Sequence, residues 1–198
     1  PKVLFSPLLV VLAFGTIEKV NDQSPPLIAV STEVIINSSR QNVWNELVAF
    51  STIDEPVDPL FKVGIAYPTH AEITGVGVGA IRRCNFTTGT FVEPITKWDE
   101  PNILEFSVID QPPPMVEWSI YDDMHMEHLD GYFKSVKGQF LISELSKGKV
   151  KLTGTTWYKH EIWPVAYWTV WSDFILHRIH LRVLNHIKGK AEDSQDSK

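Results

Sequence analysis

Cysteine is all but absent from this chain: Cys84 stands alone among 198 residues. An internal disulfide, a cysteine-rich zinc site and a redox pair are thereby excluded, and a reducing, cytoplasmic compartment fits. Cations are in short supply as well. Eighteen Lys and Arg against 24 Asp and Glu leave a formal charge of −6, so nucleic acid, which is bound through a surplus of cations on one face, is not an expected partner. No apolar run reaches the roughly 18–20 residues of a membrane span. The apolar stretch Val3–Phe14 is broken by Ser6 and Pro7. It reads either as a short packed element or as the end of a membrane-proximal segment, which leaves membrane association open. A nucleophile elbow of the G-x-S-x-G type is missing. Gly75-Val-Gly77-Val-Gly79-Ala80 matches a dinucleotide fingerprint in form only. That motif needs a following helix, and Ile81–Phe86 alternates like a strand, so a glycine hairpin is expected and no cofactor is called for.

What is present is ordinary in bulk, with 43% hydrophobic and 21% charged residues, and long enough to bury a sizeable core. Gln23-Ser-Pro-Pro26 marks a linker. The expected division is an apolar extension and linker over 1–26, one domain over 27–190 and a polar tail over 191–198. The dominant feature is a helix expected from Pro164 to Lys188, with Pro164 at its first position and Gly189 as its C-cap. Trp168, Trp171, Ile175, Ile179, Val183 and Ile187 recur at steps of three and four, the spacing of a buried stripe. A second apolar row, including Tyr167, Val170 and Phe174, would suit a covering partner or a homo-oligomer.

Leu27–Asn37 alternates as a strand with one buried face. Ser38 or Ser39 then caps a helix over about Arg40–Phe50, and a second short helix is expected from Ser51-Thr52 to near Phe61. Strands follow at Ala71–Thr74, Gly79–Phe86, Phe91–Trp98, Ile103–Asp110, Tyr132–Leu145 and Lys149–His160. Gln111–Asp130, with three consecutive prolines, is a long loop expected to border a cavity mouth. The fold class is therefore α+β: a curved antiparallel sheet of about seven strands around the long helix, with two short helices after the first strand.

Asp173, His177 and His180 share a helical face and could hold a divalent metal, although a solvated polar stripe is the simpler reading and no metal is called for. Arg82 is the sharper case. Alternation sends Val78, Ala80, Arg82, Cys84 and Phe86 inward and Arg83 outward. An inward guanidinium needs an internal acid, such as Glu105 or Glu117, or an acidic group on a ligand.

The order of elements resembles the START-like helix-grip superfamily (SRPBCC), which includes polyketide cyclases, aromatase/cyclases and lipid-transfer domains. The carriers are Ser38-Ser-Arg-Gln-Asn-Val-Trp44 after the first strand, the Gly75–Arg83 hairpin, Trp98-Asp-Glu-Pro101 and the closing helix. The resemblance spans about residues 27–190 and implies a cavity between sheet and helix that binds a hydrophobic small molecule, such as a lipid, polyketide-like or aromatic compound. Phe86, Trp98, Phe106, Phe140, Tyr158, Trp171 and Ile175 would form its wall, with Arg82 orienting a polar end. The alternatives are a cyclase, dehydratase or hydrolase in the same cavity, with acid/base groups from Tyr132, His128, Asp130 or His160, and an interaction domain of a membrane-associated protein.

Overall fold

The computed structural model describes residues 26–116, 131–162 and 164–196. Seven strands form: β1 (Ile28–Ile36), β2 (Pro68–Thr74), β3 (Ile81–Phe86), β4 (Gly89–Asp99), β5 (Ile103–Ser107), β6 (Phe133–Ser146) and β7 (Lys149–His160). They make one sheet in the order β1-β7-β6-β5-β4-β3-β2, with every neighbouring pair antiparallel. The run β2 to β7 is a meander, as local pairing favours. β1 joins β7 instead of β2, so the segment carrying α1 (Arg40–Val48) crosses from one sheet edge to the other. Register shifts at Ile95/Lys97, Ser135/Lys137 and Glu144/Ser146 insert bulges. Bulges bend strands and increase their twist, which helps the sheet curl around a helix.

Burial alternates along the strands most clearly on β7 and β1. On β7, Val150, Leu152, Tyr158 and His160 are buried while Lys149 is exposed. On β1, Thr32 and Ile36 are buried and Ser31, Glu33 and Ile35 are exposed. The inward face meets α2 (Val165–Asp196), which packs on β1, β7 and α1. α1 is capped by the Ser39 side chain, which accepts from the Asn42 N–H at 3.2 Å. It buries Val43, Trp44 and Leu47 against the last turns of α2.

Three details differ from the sequence reading. α2 does not stop at Lys188 but runs through Gly189 to Asp196, so residues 191–196 are helical and not a tail. An interior Gly costs a helix roughly 0.5–1 kcal/mol, and tertiary contacts beyond it offset that. Ala191 is fully buried, Ser38 Oγ donates to its carbonyl at 2.8 Å, and the Asn37 N–H donates to Glu192 Oε1 at 2.8 Å. The second short helix is not at Ser51–Phe61; a single 3-10 turn, Pro59–Val63, forms instead. The chain before it is held out of a helix, because Ile53 N–H pairs with the Thr69 carbonyl and Arg182 donates to the carbonyls of Ile53, Glu55 and Pro56. Finally, Val78 does not point inward. Gly75, Gly77 and Gly79 all have positive φ and place it in the hairpin tip, 69% exposed.

The helix is not buried along its whole length. Val183, Leu184, Ile187 and Ala191 sit in the core with Ile36, Leu104, Ile142 and Leu152. Towards its start, Tyr167, Val170, Trp171 and Phe174 are exposed. Among the described residues no helix is long and apolar enough to cross a membrane.

Candidate functional site

Where the first half of α2 stands off the sheet, a cavity of about 350 Å3 opens. Its walls come from the inward faces of β3 to β7, from α2 and from Gln111–Met115. Of the residues expected to line it, Arg82, Phe86, Phe106, Phe140, Trp171 and Ile175 do, together with Tyr132 and His160. Two expected wall residues do not. Trp98 packs edge-on against Trp44 at 5.4 Å, at the α1 end of the sheet. Tyr158 is fully buried between β7 and α2, where its hydroxyl donates to Asp173 Oδ1 at 2.6 Å and its ring stacks on Phe133. Burial, then that carboxylate, pushes the Tyr158 phenol well up. His128, Asp130 and Glu117 lie outside the described residues. Trp171 sits at the cavity mouth and is 51% exposed, not buried in the stripe.

Arg82 is inward and 2% exposed, and Arg83 is exposed, as alternation requires. Its partner is Glu93, a residue the sequence reading did not name. The two are directly opposed across β3 and β4, on either side of the Thr87-Thr88 turn. Counting outward from that two-residue turn would have found the pair. Glu105 is not the partner: it accepts from Gln139 Nε2 at 3.1 Å and lies 3.9 Å from Lys137. Above the guanidinium are the rings of Phe50, Phe106 and Phe140, at 5.5, 5.3 and 5.7 Å. Its Nε has no hydrogen-bond partner. Burial pushes the Glu93 carboxyl up, with the guanidinium pulling against it. Burial also pushes the Cys84 thiol up to about 12.

Gln111 was missed as well. Its side chain mimics a strand, accepting from Ser135 N–H at 2.8 Å and donating to the Phe133 carbonyl at 2.7 Å. Thr88 Oγ1 donates to the Pro113 carbonyl at 2.7 Å and Ala66 N–H to that of Pro114 at 3.0 Å. The triple proline is thus pinned over the mouth. Across β6 from Gln111, His160 is 2% exposed, edge-on to Phe133 and Tyr158, with neither ring nitrogen hydrogen-bonded. Burial lowers its pKa, against the weaker pull of the Tyr132 and Trp168 carbonyls.

Asp173, His177 and His180 are not gathered around one point. Asp173 is taken by Tyr158, and both histidines bond Thr32 Oγ1 through Nδ1, at 2.8 Å and 3.0 Å. Among the described residues no cluster of three or more His, Cys, Asp or Glu could hold a metal ion.

A seven-stranded antiparallel half-barrel gripping a long carboxy-terminal helix, with a cavity between them, defines a helix-grip protein. No family model matches the chain, and no curated protein matches it. Solved structures do. Norcoclaurine synthase of Thalictrum flavum, a point mutant in complex with a transition-state analogue, superposes at TM-score 0.53 and 12% identity, over 88% of this chain and 99% of that one. The ZhuI aromatase/cyclase of Streptomyces sp. R1128 gives 0.55 and 14%, over 84% and 94%. The di-domain aromatase/cyclase StfQ of the steffimycin biosynthetic pathway gives 0.58 and 9%, over 86% of this chain and 52% of that one. The chain therefore has the helix-grip fold that these structures share.

Proposed function

We propose that the protein binds a hydrophobic or amphipathic small molecule, of aromatic or polyketide-like character, between its sheet and α2. One observation carries this reading: a cavity of about 350 Å3 walled by Phe86, Phe106, Phe140, Trp171 and Ile175, with a few inward polar groups. Large apolar pockets with sparse polar groups are the usual form of small-molecule sites. The aromatic walls favour a flat apolar body over a thin flexible chain. Native mass spectrometry of freshly purified protein, with solvent extraction of what it carries, tests this directly. A discrete mass increment that yields an apolar compound is expected. Ligand-free protein that also fails to bind any of a panel of polycyclic aromatic alcohols and ketones would overturn it.

A second reading, a cyclase, dehydratase or hydrolase acting in the same cavity, is favoured by His160. A neutral imidazole with no hydrogen bond, buried in the cavity wall beside Tyr132, is an available proton acceptor. The extracted compound, returned to the protein, would then change mass with time, and His160→Phe would stop the change.

A further inference from the structure

A hydrogen-bonded chain runs from the cavity wall across α2 to β1. Thr156, on the inward face of β7, bonds His180 Nε2 through Oγ1 at 2.8 Å. His180 Nδ1 bonds Thr32 Oγ1 at 3.0 Å, and Thr32 Oγ1 bonds His177 Nδ1 at 2.8 Å. Thr156 and His180 line the cavity, Thr32 is buried, and His177 is exposed. Each hydroxyl has a single proton, and a neutral imidazole has one N–H and one bare nitrogen. Burial, helped by neighbouring His177, lowers the His180 pKa to about 4, so its ring is neutral near pH 7. The chain can therefore run in two senses. In one, Thr156 donates to His180 and keeps a lone pair for the cavity. In the other, His180 donates to Thr156, whose own O–H is then free.

Gly138 stands directly opposite Thr156 on one side and Phe106 on the other. A Cβ at Gly138 would lie 2.4 Å from the Phe106 ring, which occupies the space a side chain would take there, beside the threonine. Among the other polar wall groups, Arg82 is held by Glu93 and both ends of Gln111 by β6, and His160, whose ring nitrogens are unbonded, is the competing site.

We propose that Thr156, positioned by His180, is the polar subsite of the cavity and takes the hydroxyl or carbonyl oxygen of an otherwise apolar, aromatic-sized ligand. This rests on the small-molecule reading above and adds the group that such a ligand must carry. The test compares 2-naphthol with 2-methylnaphthalene, a near isostere without the oxygen, by fluorescence titration. Wild type should prefer the naphthol by about fivefold or more, the worth of one hydrogen bond. Thr156→Val should abolish that preference while holding 2-methylnaphthalene unchanged, and Thr156→Ser should restore it. The His180 imidazole nitrogen NMR shifts should move with the naphthol and stay still with the hydrocarbon. Equal binding of both probes to wild type, or a preference that survives Thr156→Val or is lost only in His160→Phe, would overturn the subsite while leaving the cavity reading standing. Failure of both probes to bind would overturn the two together.

Discussion

Arg82 shows what a single inward charge demands. Strand alternation puts it beneath three aromatic rings, and only the opposed Glu93 makes that placement tolerable. A guanidinium cannot shed its charge on burial. Removing one partner of a buried pair leaves the other uncompensated, at a cost of about 3–5 kcal/mol. Arg82→Met should therefore destabilise the protein by about that amount in urea denaturation, and Arg82→Met with Glu93→Leu should recover most of it. Arg83→Met, on the solvent face, is expected to stay within about 0.5 kcal/mol. A different residue-scale expectation concerns Cys84, buried on the same face, whose thiol is pushed up to about 12. Thiolate is the reactive form, so a disulfide reagent at mildly alkaline pH should leave Cys84 unmodified in the folded protein and label it fully in denaturant. Rapid labelling without denaturant would mean that β3 opens locally.

The strands were the most legible elements, because period-two alternation and glycine or proline turns mark both their faces and their ends. Lys149–His160 lies where the pattern places it, and the strand expected over Ile103–Asp110 starts at Ile103 but ends at Ser107. What was illegible depended on partners distant in sequence. Nothing local says that Arg182 will collect three carbonyls from Ile53–Pro56 and hold irregular a stretch that composition would allow to be helical. Likewise Gly189 looks like a helix stop until Ser38 and Asn37 are seen bonding to Ala191 and Glu192. The contact between α2 and β1 also fixes a pH response. His180 is held to about 4 against an ordinary value near 6.5, and His160 is lowered too. Between those values the unfolded chain binds protons that the folded chain refuses, so stability falls as pH falls through that window. Urea midpoints at about pH 7 and about pH 5 should differ in this sense, and His180→Gln should make the difference smaller. An unchanged difference would assign the acid sensitivity elsewhere.

At the scale of the whole molecule, the fold divides labour along one helix. The last turns of α2 are anchored in the core by Val183, Leu184, Ile187 and Ala191, while the first turns expose Tyr167, Val170, Phe174 and, at the cavity, Trp171. The sequence shows one apolar stripe running the full length. It does not show that the curled sheet lies close to only half of it, since that depends on where bulges bend β4 and β6. Local stability follows buried contact. Amide exchange should therefore be slow in 183–191 and faster in 165–175, with ligand slowing mainly the latter. Trp171 separates the two roles. In a packed core its loss would cost roughly 3–5 kcal/mol, but at 51% exposure on the cavity rim it has little packing to lose. Trp171→Ala is expected to lower stability by under about 1 kcal/mol and to speed ligand dissociation, because the ring covers part of the mouth. Leu184→Ala, in the anchored half, should instead cost about 2–5 kcal/mol. Equal losses from the two substitutions would mean that the first half of α2 is packed as tightly as the second, and a cavity between it and the sheet would have no room to exist.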